Sequence, residues 1–210
     1  MHPLLGALIA YVVGSIPFAY LAGRAVRGID LREHGSGNLG ATNVLRVLGA
    51  KVAVPVLLLD AAKGALPVLL LPRYTATADP EWAGLAYGVA AIAGHAKPVF
   101  LLWRGGGKGV ATAAGVFFAL APVATLVALA TFLVVLFASG YVSLGSLVAA
   151  LALVVALAAT SGPPTPVFWV GAGVAAFVFW THRTNIGRLR RGEEHRFGRK
   201  KDTPPPEPGR

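Results

Sequence analysis

The 210-residue chain is 55% hydrophobic and only 13% charged, about half the roughly 25% charged fraction of an ordinary soluble domain. Nineteen lysines and arginines against nine acidic residues give a net charge of +10. The apolar content excludes intrinsic disorder, and the absence of cysteine excludes a disulfide scaffold, thiol catalysis and Cys-ligated metal sites. A basic, all-α, polytopic membrane protein remains.

The first predicted span, Pro3 to Gly23, is about twenty near-continuous apolar residues, long enough to cross a bilayer core. Only His2 precedes it, whereas Arg24 and Arg27 follow. That order is the reverse of a cleaved signal peptide, and by the positive-inside rule it places the N-terminus outside and Arg24 in the cytoplasm. Further apolar runs cover Val52 to Leu71, Trp82 to Trp103, Val110 to Ala138, Leu144 to Thr160 and Val167 to Thr181. As one helix the 29-residue run from Val110 would be about 43 Å long against a hydrocarbon core of roughly 30 Å. Pro122 sits near its middle, where a helix kinks or breaks.

Parity decides between six spans and seven. Two short spans broken at Ala121–Pro122 return the chain after His182, with its nine basic residues, to the cytoplasm. Sixteen of the 19 lysines and arginines then lie on the cytoplasmic side: five in 24–51, two in 104–108 and nine in 183–210. Arg73 falls in an outer loop beside Asp79 and Glu81, and Lys63 and Lys97 lie within or near the spans. The expected fold is therefore seven transmembrane helices, N-terminus outside and C-terminus cytoplasmic, with short broken fourth and fifth spans. Residues 1–195 form the membrane domain, and the basic, Pro-rich 196–210 is expected to be a disordered cytoplasmic tail. No repeat of 20–50 residues signals a solenoid.

Three polar segments interrupt the apolar sequence, all predicted cytoplasmic. In the first, Gly35-Ser36-Gly37-Asn38-Leu39-Gly40-Ala41-Thr42-Asn43-Val44-Leu45-Arg46, the glycines allow a tight turn that exposes N–H groups to an anion. Ala41, Val44, Leu45 and Leu48 repeat at helical spacing, and Thr42 and Arg46 share another face. The segment reads as an anion-binding loop leading into a short helix, or more plainly as a loop with turn glycines. Its match to G-x-G-x-x-G is no Rossmann signal, because no strand precedes it.

The second segment joins His95-Ala96-Lys97-Pro98 to Arg104-Gly105-Gly106-Gly107-Lys108-Gly109. Consecutive glycines let N–H groups converge on a phosphate and the lysine supplies charge, although this is not a Walker A motif. The plain alternative is two juxtamembrane cations on a flexible turn, with His95 capping or packing a helix end. The third segment, Thr181 to Glu194, puts His182 and Asn185 on one helical face at the membrane boundary. Arg190, Arg191, Arg199, Lys200 and Lys201 read as an ordinary stop-transfer cluster. Ser139 and Ser143 occupy the remaining cytoplasmic turn and offer hydroxyls to the same region or serve structure alone.

Absent chemistry narrows the field. There is no G-x-S-x-G, no H-E-x-x-H and no His followed at H-x-x-x-x-D spacing. Asp60 and Lys63 share a helix face and are expected to pair with each other; Gly84 and Gly88 fit a small-xxx-small helix contact. The site is rich in donors and cations and poor in bases, which suits one or two phosphate-bearing substrates.

Together the segments resemble the bacterial acyl-phosphate:glycerol-3-phosphate acyltransferases (the PlsY type). The resemblance rests on GSGNLGATNVLR at 35–46, GHAKPVF with GGKGVAT at 94–112 and HRTNIGRLRRGEE at 182–194. GSIPFAY at 14–20, DAAKG at 60–64 and YVSLGS at 141–146 support it. Lys97 stands where the family usually has an aromatic residue, and Pro98 and Lys108 are separated by one glycine more than usual. The resemblance implies a seven-span, N-out enzyme of the bacterial inner membrane working at the cytoplasmic face in phospholipid biosynthesis. It would transfer an acyl chain from acyl phosphate to the 1-hydroxyl of glycerol 3-phosphate, giving lysophosphatidic acid and inorganic phosphate. No cofactor, metal, coenzyme A or acyl carrier protein is implied, and its partners are the two substrates and membrane lipid, with no nucleic acid and no obligate protein partner.

By family position Ser36, Thr42, Arg46, Lys108, Ser143, His182 and Asn185 are expected to line the substrate site; Gly37, Asn38, Gly106 and Gly107 of the glycine-rich turns complete the expected substrate-binding set, with Lys108, Arg46, His182 and Asn185 catalytic. Arg46, Lys108 and the glycine N–H groups would hold two phosphates, and the hydroxyl proton would go to a substrate phosphate oxygen or to His182. A transporter or channel for phosphate or a phosphorylated solute is the competing class, although no paired interrupted helices mark two halves. A scaffold subunit without activity is the third.

Overall fold

A computed structural model describes residues 1–197. The tail expected over 196–210 lies outside the described residues except for Arg196 and Phe197. These two sit on the turn at Gly140–Tyr141, where Phe197 N donates to Gly140 O at 2.7 Å and Arg196 Nε to the Tyr141 hydroxyl at 3.1 Å.

Among the described residues every regular element is helical: α1 Pro3–Gly14, α2 Phe18–Arg27, α3 Ala41–Leu48, α4 Ala50–Leu70, α5 Pro80–Ala96, α6 Val110–Leu120, α7 Pro122–Ser139, α8 Val142–Thr160, α9 Pro166–Thr181 and α10 Arg183–Arg190. Short 3-10 turns follow at Leu71–Tyr74 and Val99–Leu101. Among the described residues four segments are long and apolar enough to cross a membrane: Pro3–Arg27, Ala50–Tyr74, Pro122–Ser139 and Val142–Thr160. Val110–Leu120 and Pro166–Thr181 are shorter apolar helices.

The long run after Val110 divides at Ala121, whose extended backbone (φ −145°, ψ 71°) ends α6 and lets Pro122 open α7 at the position where its missing N–H costs nothing. The first run departs from expectation, because it is interrupted at Ser15–Pro17 rather than continuous to Gly23. Pro17 cannot donate to the helical ladder, and Ser15 Oγ turns back to Tyr11 O at 2.8 Å. The third run is also shorter than read, since Pro98 forces Lys97 out of the helical region and α5 stops at Ala96. Leu102 and Trp103 beyond it take left-handed backbone angles.

Packing is dominated by the pairs α7–α8, α4–α6 and α1–α5. The α4 and α6 backbones touch: a Cβ on Gly64 would meet the Thr112 carbonyl oxygen, and one on Gly115 the Ala61 carbonyl oxygen. Gly84 and Gly88 do face neighbouring helices: a Cβ on Gly84 would lie 3.6 Å from Val68 and 3.7 Å from Leu120, and one on Gly88 would run into Val116. Val116, Phe117, Leu85 and Leu157 form the largest buried cluster. Leu4, Val134 and Phe137 are 74%, 68% and 76% exposed, a display of large apolar groups that only lipid makes favourable.

The ends of the bundle differ. At one end the N-terminal ammonium donates to Tyr74 O at 2.9 Å and Ala76 N to Met1 O at 2.9 Å. At the other, the polar segments of residues 35–46, 105–109, 141–143 and 182–194 converge.

Candidate active site

The first polar segment is shaped by Asn43, which is buried in the first turn of α3. Its Oδ1 accepts from Ser36 N at 2.8 Å, and its Nδ2 donates to Leu31 O at 3.2 Å and His34 O at 3.0 Å. The loop is stitched to the glycine run by Leu39 N donating to Gly106 O at 3.2 Å. That run absorbs its length at Gly105 and Gly106, both in backbone conformations that favour glycine (φ 91° and 150°). Lys97 lies just beyond α5, exposed, and its carbonyl accepts from the Tyr11 hydroxyl at 2.7 Å.

Lys108 closes the loop by donating its ammonium to Asn185 Oδ1. Asn185 Nδ2 passes the chain on to Glu194 Oε1 at 2.6 Å, and Ser143 Oγ donates to the same oxygen at 2.9 Å. Arg188 Nε holds the other oxygen, Oε2, at 2.6 Å. One carboxylate thus ties together α8, α10 and, through Asn185, the glycine loop. His182, 3% exposed, joins α9 to α10, with Nδ1 2.8 Å from Val178 O. A carbonyl can only accept, so Nδ1 carries the proton and Nε2 is the acceptor nitrogen of the neutral ring.

Burial pushes the Lys108 ammonium down to about 8; Glu194 opposes the fall while Arg188 and Arg46 add to it. Burial, reinforced by the Lys108 charge, pushes His182 down to about 4, so the ring is neutral near pH 7. Burial likewise lowers Arg46, with the charges of Glu194 and Arg188 acting on it in opposite senses. For Glu194 burial disfavours the charge, but hydrogen bonds from Arg188, Asn185 and Ser143 outweigh it and hold the carboxyl below its usual range.

All eleven residues singled out from the sequence border one cleft of about 1900 Å³. Lys108, Asn185 and Ser143 are brought into a single hydrogen-bonded network, and Thr181 Oγ donates to Lys108 O at 3.3 Å beside His182. Ser36, Gly37, Asn38, Thr42, Arg46, Gly106 and Gly107 line the same cleft. Asn43, Arg188 and Glu194 were not singled out. Scarcity was the available signal for Glu194, an acid set among Arg188, Arg190 and Arg191 in a chain with nine acidic residues. Away from its polar end the cleft is walled by Leu57 and Leu58 of α4, Phe118 of α6, Leu129 and Phe132 of α7 and Leu153 of α8. Among the described residues no group of three His, Asp or Glu is placed to hold a metal ion.

A family model described as glycerol-3-phosphate acyltransferase matches residues 4–192. The glycerol-3-phosphate acyltransferase of Synechococcus elongatus is 43% identical over 203 residues, covering 94% of this chain and 95% of that protein. Those of Anaeromyxobacter sp. (strain K) and Geobacter sulfurreducens are each 46% identical; the alignments cover 91% and 94% of this chain, and 96% and 98% of the relative. The fold superposes on the crystal structure of PlsY (YgiH), an integral membrane glycerol 3-phosphate acyltransferase, in its glycerol 3-phosphate form. The TM-score is 0.85 at 39% identity, covering 93% of this chain and 96% of that one. The lysophosphatidic acid form of PlsY matches with a TM-score of 0.83 at 38% identity, covering 93% of this chain and 95% of that one.

Proposed function

The chain belongs to the glycerol-3-phosphate acyltransferase family, integral membrane enzymes of phospholipid biosynthesis, and from that premise we propose its donor, residues and orientation. The donor is acyl phosphate; the acceptor is the 1-hydroxyl of sn-glycerol 3-phosphate; the products are lysophosphatidic acid and inorganic phosphate. The observation that carries this reading is the continuity of a cationic pocket with an apolar groove in one cleft. An acyl phosphate presents the matching pair, a charged head on an apolar tail.

Lys108, Arg46 and the N–H groups of Gly106 and Gly107 hold the two phosphates, and Ser36, Gly37, Asn38 and Thr42 complete the wall around them. Bound together, the hydroxyl oxygen faces the acyl carbonyl carbon, and a bimolecular encounter becomes a near-unimolecular step. The new ester C–O bond forms as the carbonyl–phosphate bond breaks, and the cations stabilise charge on the carbonyl oxygen and on departing phosphate. Phosphate is a good leaving group, so no enzyme nucleophile is needed. Ser143 is committed to Glu194, whose lowered pKa makes it a weak base.

The hydroxyl proton goes to a substrate phosphate oxygen. With a pKa of about 4, His182 is a poorer base than a phosphate monoester, whose second pKa is about 6. His182 instead offers Nε2 as a hydrogen-bond acceptor that orients the hydroxyl, and Asn185 aims Lys108.

The chain crosses the bacterial inner membrane seven times with this cleft at the cytoplasmic face. The pairing of Met1 with Tyr74 at one end and of the polar segments at the other supports that parity. Purified protein in detergent, given palmitoyl phosphate and glycerol 3-phosphate, is expected to release phosphate and lysophosphatidic acid in equal amounts. Turnover with acyl-CoA alone would overturn the donor assignment.

A further inference from the structure

Beneath the glycine loop lies a cluster of ionisable side chains that the transfer reaction does not use. Asp60 and Lys63 project from one face of α4 and His95 from the last turn of α5; they are 1%, 4% and 6% exposed. Lys63 Nζ lies 2.8 Å from Asp60 Oδ1, and His95 Nδ1 lies 3.6 Å from the same oxygen. Lys63 also donates to Ile16 O at 2.8 Å, in the interruption between α1 and α2, and its ammonium stands 5.5 Å from the centre of the Phe18 ring.

The other edge of the His95 imidazole meets the loop. A Cβ at Gly107 would run into His95 Nε2, and one at Gly106 into the Ala96 carbonyl oxygen. Gly107 N donates to His95 O at 3.2 Å. The loop backbone therefore rests on the His95 ring one residue before Lys108.

Ionisable groups buried in membrane-spanning helices are costly, and apolar residues of similar volume commonly stabilise such sites as well or better. Stability alone does not account for the cluster. An ion pair with a shared oxygen supplies orientation, which an apolar contact does not. Lys63 holds Asp60, Asp60 faces the imidazole nitrogen, and the ring is held at one height and tilt under Gly107.

We propose that Asp60, Lys63 and His95 are positioning residues that set the Gly105–Gly109 loop, and through it the Lys108 ammonium and the loop N–H groups, for phosphate. The proposal rests on the reading of Lys108 given above and extends it to Asp60 and His95, which border the same cleft, and to Lys63, paired with Asp60. A displacement of about 1 Å at a reacting group can lower the rate roughly 100-fold, so a support of this kind has a measurable kinetic signature.

Asp60→Asn combined with Lys63→Met removes both charges at nearly constant volume. His95→Phe removes the ring nitrogens and leaves the ion pair intact. Each is purified in detergent beside the parent and Lys108→Ala, and the unfolding temperature, kcat and KM for glycerol 3-phosphate are measured. The expected result is a near-parental unfolding temperature with a raised KM and a kcat/KM reduced by up to roughly 100-fold. His95→Gln, which keeps a polar group between Asp60 and the loop, recovers most of that loss.

A purely structural cluster would lower the unfolding temperature and the active fraction while leaving the KM of the surviving enzyme unchanged; that result overturns the inference. Parental kcat and KM in stable variants overturn it equally. If the double variant does not accumulate, the contrast of His95→Phe with His95→Gln decides alone. Normal transfer by Lys108→Ala would overturn the phosphate-site reading and this inference with it. An inactive Lys108→Ala beside parental cluster variants would overturn the positioning role alone.

Discussion

Lys108 is pulled in two directions by its burial. In the proposed mechanism its positive charge holds phosphate, yet desolvation brings its pKa down from 10.5 to about 8. The kcat/KM of the free enzyme is therefore expected to fall as pH rises through about 8, measured as initial rates of phosphate release. Bound phosphate favours the ammonium, so the corresponding limb in kcat lies at higher pH. Stability moves the opposite way: between about 8 and 10.5 the unfolded chain binds more protons at this lysine than the folded one, so its contribution to stability rises with pH there. His182 gives a second prediction. A general base contributes roughly 100-fold or more, so loss of that size in His182→Gln would identify it as the base. As an orienting acceptor, it is expected to leave the glutamine variant well above His182→Ala in kcat, and the acid limb at about pH 6 set by the substrate phosphate is expected to persist in both variants. The importance of Glu194 escaped sequence reasoning because an acid among arginines also reads as surface charge balance. Its role became visible only when Ser143, fifty-one residues away, was found on the same oxygen as Asn185.

Among the elements, proline shows how far a local signal reaches. Pro122 and Pro17 both mark interruptions, while Pro55 and Pro67 lie inside an uninterrupted α4. The break at Pro122 was legible because a 29-residue run exceeds what a bilayer needs, so length and residue type agreed. The break at Pro17 was not, because Pro3–Gly23 fits one span and length raised no objection. Lys63, from another helix, meets the freed Ile16 carbonyl, and only the tertiary structure shows that partner. The α4–α6 contact has a similar character, depending on Gly64 and Gly115 lying against backbone oxygens. Gly115→Ala is expected to lower stability by about 1–3 kcal/mol through overpacking, read as a reduced unfolding temperature in detergent.

For the molecule as a whole, the proposed orientation rests on the basic residues and is open to direct measurement. The chain contains no cysteine, so single substitutions report without a background. Arg73→Cys is expected to react with an impermeant maleimide on intact spheroplasts, and Lys51→Cys only after permeabilisation. Labelling of both from one side would contradict a membrane crossing by α4. Family membership removes the transporter and scaffold readings that the polar segments by themselves had left open. It also makes sense of the low charge: apart from the buried Asp60–Lys63 pair of α4, the spanning helices present apolar side chains outward.

Composition, span lengths and the placement of basic residues determined the all-helical membrane character, the break at Ala121–Pro122 and the three segments that meet at one end. These are local properties, set by what a bilayer tolerates over twenty consecutive residues. Tertiary structure decided which polar groups are partners. Lys108 with Asn185 and Ser143 with Glu194 are contacts between segments far apart in the chain. Sequence spacing carries no information about them, because loop closure and helix packing, rather than periodicity, bring those atoms together. The +10 charge follows the same division: its amount is a fact of composition, but burial decides that Arg46 and Lys108 face a cleft while the exposed Arg190 and Arg191 do not.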